Sequence, residues 1–100
     1  MLKDKYKFTF DYSEANGLML ELERMFMFYG HTQELELKLP ITVLVEFQKR
    51  LAGQLVFPSN KIKIHFKRAE ALAFQVLFLG NIIENTSETM HIGHIIDTTL

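Results

Sequence analysis

Few side chains in this sequence combine a type and a spacing that chemistry needs. His91 and His94 stand three apart, so a helix would bring both to one face, where they could share a metal ion. Asp97 follows three residues later, and His65 or His31 could approach through the fold. Zinc ordinarily takes three or four protein ligands, and with no cysteine in the chain every thiolate site is excluded. The pair reads as two solvated histidines on a terminal helix, and no metal or other cofactor is expected. The carboxylates Glu21, Glu23, Glu34 and Glu36 alternate with apolar residues, as solvated faces do, and do not read as an acid–base pair. Ser13, Ser59 and Ser87 lack the setting of a nucleophile elbow, and five scattered glycines make no phosphate-binding loop. The expectation is a protein without catalysis of its own.

One tetrapeptide resembles a known signature. His91-Ile92-Gly93-His94 is similar to the HIGH motif of class I aminoacyl-tRNA synthetases, which opens a helix against the nucleotide phosphates. The likeness covers these four residues, and the lysine-rich partner motif is missing. No synthetase activity is carried over.

Charge bears on nucleic acid. The formal charge of −1 excludes the strong basic bias of a protein held mainly by phosphate contacts. A local patch is nevertheless legible: Lys5, Lys7, Lys38, Lys61, Lys63 and Arg68 fall on strand faces or just after them. The strand aromatics point the other way, so the stacking platforms of sheet-type RNA binders are lacking. Edge lysines also deter aggregation, so nucleic-acid contact ranks as the alternative function.

These residues must be positioned by elements, and the hydrophobic rhythm gives them. Three stretches alternate with period two: Lys5–Phe10, Glu34–Leu39 and Lys61–Phe66. Each predicts a strand with one oily face, carrying Tyr6, Phe8 and Phe10, then Leu35, Leu37 and Leu39, then Ile62, Ile64 and Phe66. After each, the period becomes helical. Ala15, Leu18, Met19, Leu22, Met25, Phe26 and Tyr29 form the first stripe, with Asp11 and Glu14 as a capping box and Gly30 as a stop. A rival reading turns a hairpin at Asn16-Gly17, making residues 13–29 strand; the alternation fails at Arg24–Phe28, so the helix is preferred. Pro40 suits a first helical turn, followed by Ile41, Leu44, Val45, Gln48, Leu51, Ala52 and Leu55. A third helix runs from Arg68 to about Glu84, with Ala69, Leu72, Val76, Leu79 and Ile83 as its stripe. A last helix spans about 87–99, weakened by Gly93 by about 1 kcal/mol relative to alanine.

Strand ends at Phe10, Leu39 and Phe66, and the matching pairs Glu14-Ala15 and Glu70-Ala71, suggest three strand–helix units with a period near 28. The predicted fold is a single two-layer α+β domain in the order β-α-β-α-β-α-α, with units at about 4–30, 34–55 and 61–84 before the last helix. A three-stranded sheet would be covered by helices on one face, its strand directions open. No apolar run is long enough for a membrane span, since residues 71–83 hold Gln75 and Asn81, and a soluble cytoplasmic protein is expected. The third helix is apolar on nearly every side, and the first has a surplus beyond its stripe. Leu20, Met27, Phe28, Phe74, Leu77 and Phe78 are therefore the candidate interface residues. They point to a small interaction or structural module that self-associates or meets a protein partner.

Overall fold

Alternation builds the two strands. The computed structural model describes residues 2–99, with β1 at Lys5–Phe10 and β2 at Ile62–Lys67. They pair antiparallel in a two-stranded sheet, with Tyr6 opposite Phe66, Phe8 opposite Ile64 and Phe10 opposite Ile62. These six side chains are buried, and Lys5, Lys7, Thr9, Lys63 and Lys67 are exposed on the other face. Four helices complete the α+β fold: α1 (Tyr12–Tyr29), α2 (Leu35–Gln54), α3 (Arg68–Leu79) and α4 (Ser87–Asp97). None of them is long and apolar enough to cross a membrane.

The predicted first helix is present, and the hairpin at Asn16-Gly17 is not. Asp11 accepts the Glu14 N–H at 2.8 Å while Glu14 accepts the Asp11 N–H at 3.0 Å, a complete capping box. Ala15, Leu18, Leu22 and Met25 then turn inward.

The predicted middle strand is a correction. Glu34 is the N-cap of α2 and residues 35–39 are helical, so Pro40 lies inside the helix. Two physical facts explain the change. Leu35 and Leu39 are four apart, so the same residues that alternate also share a helical face. One of the two sheet edges that a third strand could use is also occupied. Arg50 donates to the His65 carbonyl at 3.0 Å and Gln54 donates to the Lys63 carbonyl at 2.6 Å, so α2 covers the outer side of β2. Leu35 and Leu39, expected inward, are 64% and 60% exposed.

With that strand gone, the repeat doubles its length. The chain is β-α-α followed by β-α-α, and an offset of 56 aligns the strand and first helix of one half with those of the other. Phe10 then matches Phe66, Glu14 matches Glu70, and Ala15 and Leu18 match Ala71 and Phe74, all four of which are fully buried. The register obeys the same operation: the Tyr6–Phe66 pair maps onto the Ile62–Phe10 pair, and Phe8–Ile64 maps onto itself. The sheet therefore carries a local two-fold axis.

Helix ends follow from their residues. Asn81 takes the left-handed conformation, φ 61°, after α3. It lets Ile82 N–H reach the Leu77 carbonyl at 2.9 Å and Asn81 N–H reach Phe78 at 3.2 Å, which closes the helix. Thr86 caps α4 by accepting from the Thr89 N–H at 3.1 Å. Tyr6 and Thr99 share a hydroxyl–hydroxyl hydrogen bond that ties the segment after α4 to β1.

Gly93 is where α4 meets α3. A Cβ there would lie 2.6 Å from the Phe78 ring, which is stacked on Phe74 at 6.0 Å. Alanine therefore forfeits its helical advantage. Gly93→Ala should destabilise the fold by about 1–2 kcal/mol in denaturant titrations, since overpacking outweighs propensity. Adding Phe78→Leu should recover much of the loss.

Candidate functional site

Two surfaces stand out, one apolar and one basic, and a buried ion pair sets where both lie. Glu70 sits in the first turn of α3 and accepts the Lys67 N–H at 2.8 Å, the counterpart of Glu14 in α1. Arg50 of α2 grips the same carboxylate with two nitrogens, at 2.6 and 2.7 Å. Burial pushes the Glu70 carboxyl up, but the Arg50 bonds, the Lys67 N–H and the two cationic charges together hold it below the ordinary carboxylate value. Glu70 thus locks α2, α3 and the edge of β2 together. Its counterpart across the molecule is Glu21 of α1, which accepts from Arg24 at 2.7 Å and from the Glu84 N–H at 2.8 Å. Arg24 also reaches the Ile82 carbonyl at 3.0 Å, fixing the loop after α3 against α1.

The apolar surface lies where α2 begins and α3 runs beside it. Leu35, Leu39, Pro40, Val43, Leu72 and Val76 line a groove of about 330 Å³ together with the small Ala69 and Ala73, and Glu36 is the one charge among these residues. Leu72, Val76 and Leu79 are 50%, 47% and 63% exposed. The stripe predicted as the inner face of α3 is therefore largely its outer face, with only Ile83, beyond the helix, fully buried.

The interface candidates divide accordingly. Leu20, Met27 and Phe28 are exposed on α1, with the Arg24 guanidinium 5.7 Å from the Phe28 ring. Phe74 and Leu77 are fully buried and Phe78 is half-buried, so α3 offers a different set. This division has a cause: Glu70 must face Arg50, and that rotation carries Phe74 and Leu77 into the core. The sequence held a signal for it. Aligning Glu70-Ala71 with Glu14-Ala15 would have placed Phe74 with Leu18 on the inner side.

The basic surface is the outer face of the sheet. Lys5 stands opposite Lys67, Lys7 opposite His65 and Thr9 opposite Lys63, with no carboxylate among them. Partial burial and then repulsion from Lys5, Lys7, Lys63 and Arg50 lower the pKa of His65 below its ordinary value. Beside this face, Phe47, Arg50, Leu51, Gln54, Lys63 and His65 line a cleft of about 370 Å³. Lys61 is exposed just before β2, whereas Lys38 lies on α2 and does not join the sheet. Arg68 is paired with Asp4.

The two histidines part company. His91 packs edge-on against Phe8 and Phe10, at 5.7 and 6.1 Å between centroids, while His94 lines a cleft between α3 and α4. Among the described residues no three histidine, aspartate or glutamate side chains are grouped to hold a metal. No family model, curated protein or solved structure matches the chain, so these surfaces are read from their own geometry.

Arg50→Ala strands a carboxylate whose side chain is only 6% exposed. Breaking a buried pair costs about 3–5 kcal/mol, and the 42% exposure of Arg50 reduces the expected loss to about 2–3 kcal/mol in urea titrations. The Glu70 carboxyl is held low in the folded state, so its contribution is complete above about pH 5 and declines as pH falls through the folded-state value. Wild-type stability should therefore fall more steeply between about pH 5 and pH 3 than that of Glu70→Gln, which starts lower at neutral pH.

Proposed function

We propose that this chain is a small non-catalytic interaction module that self-associates through the apolar face of α3 and the start of α2. The observation that carries this reading is the exposed run Leu72, Val76 and Leu79, extended by Leu35 and Leu39, without a charge on the α3 stripe between Arg68 and Glu84. Monomers rarely leave large contiguous apolar patches in water. A second copy suits this face because it is self-complementary. A two-fold axis beside α3 would bring the projecting Leu72 and Val76 of each copy over the small Ala69 and Ala73 of the other. The separate patch of Leu20, Met27 and Phe28 on α1 suits a different protein partner.

Sedimentation across a concentration series tests the first contact. The wild type should dimerise in the micromolar range, and Val76→Glu should shift it to monomer with an unchanged circular dichroism spectrum. A wild type that stays monomeric at high micromolar concentration defeats the reading.

The second reading, contact with nucleic acid, is favoured by the carboxylate-free sheet face. Like charges directly opposite one another cost stability, and Lys5–Lys67 is such a pair. A polyanion on that face would relieve the cost. In anisotropy titrations with RNA and DNA oligonucleotides, the Lys61→Glu, Lys63→Glu double variant should lower the slope of log K against log salt by about 1.5–2. Absence of binding by the wild type at low salt ends this reading.

A further inference from the structure

The cleft beside the outer face of the sheet gathers donors from two elements. α2 contributes Arg50 and Gln54 and β2 contributes Lys63 and His65, together with the buried Phe47 and Leu51. The polar groups are reachable from solvent: Lys63 and Gln54 are exposed, the Arg50 side chain is 42% exposed, and His65 is half-buried. They also have capacity to spare. Arg50 makes two hydrogen bonds to Glu70 and one to the His65 carbonyl, so its Nε–H and one Nη1–H have no partner among the described residues. Gln54 donates one N–H to the Lys63 carbonyl and keeps the other, and the Lys63 ammonium is in no ion pair among the described residues.

Carboxylates do not compete for these donors. Among the described residues lining the cleft none is aspartate or glutamate. Glu70 has both oxygens engaged, and Glu46, one turn before Arg50 on α2, is exposed and pairs with Lys49 at 3.5 Å. His65 is a second witness to the charge around the cleft. Partial burial, Lys5 and Lys7 of β1, Lys63 of β2 and Arg50 of α2 hold its pKa below the ordinary value, so the imidazole is neutral at about pH 7.

We propose that this cleft binds the dianionic phosphate of a small phosphate monoester, held by Lys63, Arg50 and Gln54. The donors come from both α2 and β2, and a monoester offers three terminal oxygens set tetrahedrally, where a carboxylate offers two in one plane and a phosphodiester two. The volume of about 370 Å³ lies at the low end for small-molecule pockets, which suits a compact ligand and not a chain. A dianion among these cations offsets their repulsion of a proton on His65. The imidazole then becomes a further, charged donor, and binding strengthens as pH falls through its titration. The site is independent of the nucleic-acid reading, since it takes a terminal phosphate and not a backbone of diesters.

Proton spectra of the intact chain, titrated with phenyl phosphate, benzoate and sulfate at constant ionic strength, test the proposal at the His65 ring signals. Phenyl phosphate should shift them saturably and bind at least about tenfold more tightly than benzoate. Sulfate, a dianion throughout the titration, should raise the His65 midpoint by at least about half a pH unit and leave the His31 and His94 signals unmoved. Lys63→Gln, at an exposed position, should weaken phenyl phosphate at least about fivefold, whereas Lys5→Gln, on the same face but outside the cleft, should weaken it less than about twofold. Equal losses in the two variants would reveal a diffuse positive face in place of a site and overturn the proposal. So would shifts that do not saturate at millimolar phenyl phosphate, or equal binding of benzoate. No arm contains nucleic acid, so failure here leaves the oligonucleotide titrations to stand or fall by themselves.

Discussion

Phe66 touches three other phenyl rings, and each comes from a different element. Phe47 of α2 stacks on it at 4.1 Å between centroids, while Phe8 of β1 and Phe74 of α3 meet it edge-on at 5.7 and 5.6 Å. Such contacts contribute about 0.5–1.5 kcal/mol each beyond the area they bury. Their larger effect is geometric. Phe47 fixes the roll of α2, and Arg50, one turn on, then arrives over the edge of β2 beside Glu70. Phe74 seats α3 in the roll that the Glu70–Arg50 pair selects. The four rings and the Glu70–Arg50 pair together set the orientation of the apolar groove and of the basic sheet face.

That arrangement turns the usual polarity of a helix around. α3 directs Glu70 and Gln75 inward and Leu72, Val76 and Leu79 outward. A carboxylate in the core is tolerable because Arg50 forks onto it and a backbone N–H completes its shell. The leucines and the valine have no such compensation in water. The helix anchored from within by an ion pair is thus one that shows leucine and valine to solvent.

How far the sequence could be read depended on how local the deciding interaction was. β1, β2 and α1 were legible because their signals are contained within them: strict alternation for the strands, and a capping box followed by seven apolar positions for the helix. The α+β class followed from these. Glu34–Leu39 was misread because six residues of alternating leucine satisfy both periods, and the tie was broken by Arg50 and Gln54, far along the chain. The roll of α3 failed for a related reason. With apolar residues all round, its stripe carries no direction, and the direction comes from one ion pair across 20 residues.

The local two-fold axis has a consequence for how the molecule comes into being. Among the described residues neither half owns a complete sheet, since each contributes a single strand whose partner lies in the other. More than fifty residues separate the paired positions Phe10 and Ile62, so a long loop must close before any ladder hydrogen bond can form. Until then Tyr6, Phe8 and Phe10 of an emerging chain have only α1 and α2 to shelter against. Until β2 is made, Tyr6, Phe8 and Phe10 lack the strand that pairs with theirs, and a nascent chain halted there leaves one side of the three rings uncovered.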